Sequence, residues 1–214
     1  MWHDPGPTEN ERKHDQAATM KIIGLTGGIG MGKSTAAATF HRARMPVFDA
    51  DLAVHRLQGP RGRALPYIEA AFPGSVRDKT LDRAALRSAV LGQPDALRVL
   101  EGIIHPMVRE EEAIFLGHAR RAGARAVVLD IPLLLETPDI DRIDLVVVVS
   151  APRAVQIHRV GKRGKMTRAQ IEAVIARQMP DADKRRQADV VIRTGLSRFE
   201  TIRAVKRLIA KVLA

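Results

Sequence analysis

One short stretch of this chain carries residue types and spacing suited to seizing a phosphate. Gly27, Gly28, Ile29, Gly30, Met31, Gly32, Lys33 and Ser34 satisfy the pattern G-x-x-x-x-G-K-S, directly after an apolar run and before a helical stretch. Glycines there let backbone N–H groups converge on phosphate oxygens, and the helix that follows adds its positive end. Lys33 supplies a mobile charge for β and γ phosphates, and Ser34 is placed to hold magnesium. The plainer alternative, a glycine-rich turn with a chance lysine, does not account for both flanking contexts.

Further chemistry is spread along the chain. Asp49 and Asp51 flank Ala50 at the end of a second apolar run, where ligands of open α/β sheets bind. Asp51 is the candidate base for an acceptor hydroxyl; alternatively it caps the helix expected over Leu52–Leu57. Asp130 ends a third run, a place suited to an acidic residue that holds a magnesium-bound water, though a capping or loop role is open as well. Arg153, Arg159, Lys162, Arg163, Lys165 and Arg168, with Gly161 and Gly164 between them, read as a closing lid over a phosphoryl group or as a solvated basic face.

These groups must be positioned by a scaffold, and the scaffold is legible as alternation. Apolar runs at Ile22–Leu25, Val47–Phe48, Ala126–Leu129, Leu145–Val149 and Val190–Ile192 are separated by helical stretches, which predicts an α/β fold with a five-stranded parallel sheet. Because the runs are apolar at successive positions, helices should cover both faces. About 75 residues separate the second run from the third, far more than a crossover needs, so an insert is expected over about 52–122. It reads as helical, with a turn at Pro73 and Gly74, Pro94 opening a helix, and His105 and Pro106 interrupting the next one. Ser197 and Glu200 predict a capping box for a last helix bearing Ile202, Val205, Ile209 and Val212.

Composition narrows the function. The 214 residues suit one domain over 20–214, and residues 1–19, charged and without apolar periodicity, read as a disordered extension, with Met20 a possible start. That segment has no apolar centre, and Asp4, Glu9, Glu11 and Asp15 argue against a transit peptide. No apolar stretch approaches the roughly 20 residues of a membrane helix. Cysteine is absent, which excludes disulfides and thiolate metal sites and fits a cytoplasmic enzyme. The formal charge of +11 points to anionic partners, and with aromatic residues at only 3% stacking platforms for nucleic acid are hard to build, so nucleotides are favoured. The only asparagine is Asn10, so the Asn-Lys-x-Asp guanine reader of most GTPases cannot exist, and no transporter-ATPase signature occurs. A small-molecule kinase remains.

The assembled motifs resemble the dephospho-coenzyme A kinase family over nearly the whole chain from Met20. The resemblance rests on Leu25-Thr26-Gly27-Gly28-Ile29-Gly30, Asp49-Ala50-Asp51, His105-Pro106, Pro132-Leu133-Leu134 with Glu136, Met166-Thr167, Gln178-Met179-Pro180 and Ala188-Asp189-Val190-Val191-Ile192. It implies a P-loop kinase core of the adenylate-kinase type, a helical coenzyme A-binding insert and a lid over about 153–168. Carried over by position, Thr26, Asp51 and Arg159 resemble the family's polar residues around the transferring phosphate, and Gly30 to Thr35 resemble its ATP-binding segment. The chain departs from the family's usual residues at Met31, Val174 and Thr194.

The expected activity is therefore transfer of the γ phosphate of ATP, with Mg²⁺, to the ribose 3'-hydroxyl of dephospho-coenzyme A. Asp51, Lys33 and Arg159 are the expected catalytic residues, and Gly27, Gly28, Gly30, Met31, Gly32, Lys33, Ser34 and Thr35 the ATP site. Thr26, Asp49, Asp51 and Arg159 are expected at the acceptor, and Ser34 and Asp130 at the metal. No nucleic acid, membrane or obligate protein partner is expected. The alternatives are a nucleotide or nucleoside kinase of the same core and, further off, a nucleic-acid-binding P-loop ATPase.

Overall fold

The computed structural model describes residues 20–136, 140–164 and 166–214. The expectations for residues 1–19 and for Lys165 lie outside the described residues.

All five apolar runs become strands of one parallel sheet: β1 (Lys21–Thr26), β2 (Val47–Asp49), β5 (Ala126–Asp130), β6 (Leu145–Ser150) and β7 (Val190–Arg193), in the order β2-β5-β1-β6-β7. Successive residues of a strand point to opposite faces, so each run feeds two cores. Ile23, Leu25, Val128, Val147 and Val149 pack with Phe40, Val205 and Ile209 on one face, against α1 (Lys33–Arg42) and α9 (Arg198–Leu213). Ile22, Val127 and Leu129 pack with Leu116 and Ala119 of α5 (Pro94–Arg121) on the other. With both faces covered the strands have no wet side, which is why they read as continuous apolar runs.

The order of strands reverses at β1: the chain crosses from β1 to one side for β2, and later to the other for β6. A crevice at the carboxyl end of the central strand follows from that reversal, and the glycine-rich loop sits there.

The insert holds α2 (Ala50–Leu57), α3 (Leu65–Ala71), α4 (Arg83–Val90) and α5 around a core of its own that includes Leu57, Leu65, Ile68, Leu86 and Ile104. It is not wholly helical. Val76–Arg77 (β3) and Thr80–Leu81 (β4) form a small antiparallel hairpin. Its two-residue turn is made by Asp78 and Lys79, both at positive φ (48° and 56°), the left-handed pair that a tight hairpin demands.

The expected break at His105 and Pro106 does not occur, for α5 runs continuously through Pro106. Proline removes the bond to the carbonyl of Gly102. Gly102 and Pro106 are both exposed, so water can satisfy that carbonyl while Ile104, Met107 and Val108 keep their packing. Pro94 does open this helix, as expected.

The basic stretch after β6 forms α6 (Arg153–Gly161), a turn with Gly164 at φ 67°, and α7 (Arg168–Arg177), begun by a Thr167–Gln170 capping box. A short α8 (Asp181–Arg186) leads to β7. At α9, Ser197 caps the Glu200 N–H at 3.1 Å, while the Glu200 carboxylate pairs with Arg203 instead of closing the expected box.

Candidate active site

The phosphate loop is held in shape before any ligand arrives. Gly30 and Gly32 have φ of 73° and 93°, and there is no room for a side chain at either. A Cβ at Gly30 would lie 2.7 Å from Val160, and one at Gly32 would lie 3.0 Å from the Thr194 hydroxyl. Gly32 is the N-cap of α1, with no side chain to occupy the helix's positive end, so the N–H groups of its first turn face the crevice.

The peptide groups of Ile29 are gripped from two sides. Gln156 of α6 donates its Nε2–H to the Ile29 carbonyl at 2.7 Å, and the Ile29 N–H donates to Oε1 of Gln178, the residue capping α7, at 3.0 Å. Gly28 lets the two amides approach, since its absent Cβ would sit 3.1 Å and 3.3 Å from them. Both α6 and α7 are thus tied to one residue of the phosphate loop.

Met31 does more than lend its backbone. Its side chain is buried, its sulfur accepts the Ala151 N–H at 3.0 Å, and its carbonyl accepts the Thr194 hydroxyl at 2.5 Å. Thr194 in turn receives Arg159: Nη1 donates to the Thr194 hydroxyl oxygen at 3.1 Å and Nη2 to its carbonyl at 2.5 Å. A hydroxyl can donate once and accept as well, so both bonds are satisfied together.

At the carboxyl edge of the sheet Asp49 and Asp51 neighbour Asp130, which holds Lys33. Asp49 and Asp130 are register partners across β2 and β5, and Asp130 also pairs with Leu25 of β1. Lys33 Nζ bonds Asp130 Oδ1 at 2.6 Å. Burial pushes the Asp130 carboxyl above its ordinary range; Lys33 opposes that shift, and the charges of Asp49 and Asp51 add to it. That Asp130 senses both places Asp49 and Asp51 at the same edge. The helix cap is Asp49 and not Asp51: Asp49 accepts the Leu52 N–H at 2.9 Å, and α2 begins at Ala50. This leaves the exposed Asp51, in the first turn, without a capping duty. Thr26 is fully buried and donates to the Pro132 carbonyl at 2.8 Å, bracing the strand end beneath the cluster.

A cavity of about 470 Å³ adjoins the loop, lined by Gly30, Gly32, Ser34 and Thr35 on one wall and by Arg159, Lys162, Arg163 and Arg198 among others opposite. Polyphosphate fits such a setting, with backbone N–H groups on one side and fixed cations on the other. Of the residues read from sequence, the structure brings Gly30, Gly32, Ser34, Thr35 and Arg159 to this cavity. Lys33, Asp49, Asp51 and Asp130 form the neighbouring charged edge. Gln156, Thr194 and Arg198 had no role in the sequence reading, and Gln178 entered only through a family motif.

The family model described as dephospho-CoA kinase matches residues 21–197. The chain belongs to the dephospho-CoA kinase family. A dephospho-CoA kinase of Gluconobacter oxydans is 51% identical over 197 residues, covering 90% of this chain and 98% of the relative. That of Brucella melitensis is 50% identical over 194 residues, covering 91% and 94%. Among solved structures, a Thermus thermophilus protein superposes with a TM-score of 0.77 at 34% identity, covering 90% of this chain and 97% of that one. The dephospho-CoA kinase of Campylobacter jejuni, at 21% identity, a TM-score of 0.62 and coverage of 90% and 97%, shares the fold. Among the described residues no helix is long and apolar enough to cross a membrane.

Proposed function

We propose that this chain transfers the γ-phosphoryl group of ATP to the ribose 3'-hydroxyl of dephospho-coenzyme A, giving coenzyme A and ADP, the last step of coenzyme A synthesis. The observation that carries the assignment of roles is the carboxylate edge facing Lys33 beside the phosphate loop, within a chain of this family.

The donor's phosphates lie along the N–H groups of Gly30 to Thr35, with Arg159 and its basic neighbours on the far wall. Ser34 and Asp130 are the residues that would hold Mg²⁺, and their hydroxyl and carboxylate oxygens suit that hard cation, which neutralises charge on the β and γ phosphates when bound. Lys33 rests on Asp130. A phosphate oxygen is the competing partner, and moving the ammonium from one to the other frees the Asp130 carboxylate.

Asp51, uncommitted to the helix cap, accepts or orients the proton of the attacking hydroxyl. Asp49 fixes the first turn from which Asp51 projects. Lys33 and Arg159 stabilise charge on the transferring oxygens, and closure of α6 and α7 excludes water as a competing acceptor. Arg159 reaches that role only from its seat on Thr194, so its arrival is coupled to the phosphate loop through Met31. No covalent enzyme intermediate is required. The protein acts in the cytoplasm, without nucleic acid or an obligate partner.

The test is Asp51→Asn, which keeps shape and removes the charge. ATP affinity should stay within about twofold while transfer to dephospho-coenzyme A falls roughly a hundredfold or more. Normal turnover would remove Asp51 from the mechanism.

A further inference from the structure

A second cleft, also of about 470 Å³, opens between the insert and the lid. Arg87, in the last turn of α4, forms one wall; Met166, Gln170, Ala173, Val174 and Arg177 form the other. Gln170, Ala173, Val174 and Arg177 recur at helical spacing on α7, so one stripe of that helix lines the cleft over about 10 Å. The stripe has a direction. Its Arg177 end adjoins Gln178, which is bonded to Ile29 of the phosphate loop, and its Met166 end lies toward the lid turn. From the loop outward come the charge of Arg177, the apolar Val174 and Ala173, the primary amide of Gln170 and then Met166.

Neither arginine has an ion pair or a side-chain hydrogen bond with any described residue, and no acidic residue lines the cleft. Two arginines lining one cleft with no acidic neighbour suit an anion between them. The phosphate loop has a separate cavity, lined by Arg159, Lys162 and Arg163 among others.

We propose that this cleft seats the part of the acceptor that does not react. Arg87 and Arg177 clamp its diphosphate, Gln170 hydrogen-bonds an amide of the pantetheine arm, and Met166 and Val174 pack on the arm's aliphatic carbons. The inference rests on the acceptor proposed above and deepens it: the order charge, apolar, amide, apolar along α7 matches the diphosphate, the branched aliphatic carbons, the amide and the ethylene carbons met on leaving the reacting ribose. Because one wall belongs to the insert and the other to the lid, a bound arm also draws the two together.

The test is steady-state kinetics of the full chain with Arg87→Gln, Arg177→Gln and the double variant. Both positions are exposed, so the fold should survive, and Arg177→Lys serves as a control that keeps the charge. Each Gln substitution should raise KM for dephospho-coenzyme A about tenfold, with KM for ATP within twofold; Lys at 177 should recover part of the loss. In the unmodified protein 4'-phosphopantetheine, which has the arm and a phosphate but no ribose, should compete with dephospho-coenzyme A and not with ATP. The double variant should lose that inhibition. An unchanged KM for dephospho-coenzyme A in the double variant, or an equal rise in KM for ATP, overturns the inference while the activity stands. Failure of the unmodified protein to phosphorylate dephospho-coenzyme A overturns the activity itself, and shows before any variant is made.

Discussion

Gln178→Ala tests whether the phosphate loop is held open by its neighbours or by its own glycines. The substitution removes the acceptor of the Ile29 N–H while Gln156 keeps the carbonyl. Ile29 is half-buried, so water can replace part of the lost bond, and the net cost should be about 1–2 kcal/mol. In a domain of this size that lowers the melting temperature by about 2–8 °C. If the bond is also what keeps the N–H groups of the next residues aimed at phosphate, the same free energy appears as a five- to thirty-fold weaker KM for ATP. Gln178→Glu separates the two effects. Its carboxylate still accepts the Ile29 N–H, so stability should return, whereas its negative charge beside the polyphosphate should keep ATP affinity low. Thermal melts and ATP titrations on the three proteins measure both quantities. If Gln178→Ala leaves the melting temperature and KM for ATP unchanged, the glycines suffice and the clamp is incidental.

Two more predictions concern buried charge. Lys184 is 1% exposed and its ammonium meets Glu136 Oε1 at 2.7 Å, so Glu136→Ala strands a buried cation. Because the Glu136 side chain keeps 23% exposure, the cost should be near the low end of such losses, about 3 kcal/mol or 6–12 °C, and a second change, Lys184→Met, should restore most of it. A double variant as unstable as Glu136→Ala would show that the loss comes from the Met179 N–H, which shares the same carboxylate oxygen at 3.1 Å. For Asp130, burial raises the folded carboxyl's pKa above its unfolded value, so the folded chain binds the proton more tightly and the stability this gives is lost as pH rises through the folded pKa. Asp130→Asn should therefore be at least as stable as the unmodified protein at pH 7, with the advantage shrinking as pH falls, while turnover drops sharply. A variant less stable at pH 7 by a margin independent of pH would contradict the assignment.

Much of this architecture is written in local pattern. The central strands were legible because Ile22 to Leu25, Ala126 to Leu129 and Val146 to Val149 are buried on both faces, which leaves no polar alternation to blur them; β2 and β7, at the edges, are partly exposed but still apolar at Val47, Phe48 and Val190 to Ile192. The phosphate loop was legible because Gly30 and Gly32 sit at positive φ, where glycine is strongly favoured. The β3–β4 hairpin escaped because each strand has two residues and its turn uses Asp78 and Lys79 without glycine. Pro106 misled because its effect depends on whether Gly102 faces water, a tertiary fact. Asp49 and Asp51 could not be ranked as caps from sequence, since the choice turns on which residue ends β2. The grip on Ile29 joins residues 127 and 149 positions apart, and Arg159 meets Thr194 across 35, so neither leaves a local signature.

The central claim is an acceptor, and one assay addresses it directly: purified protein with ATP and Mg²⁺, offered dephospho-coenzyme A or AMP in parallel, with ADP and phosphorylated acceptor both quantified. The account predicts one coenzyme A, phosphorylated at the ribose 3' position, for each ADP released, with AMP a poor acceptor because nothing fills the cleft between Arg87 and Arg177. Faster phosphorylation of AMP, or ADP released without phosphorylated dephospho-coenzyme A, would contradict it.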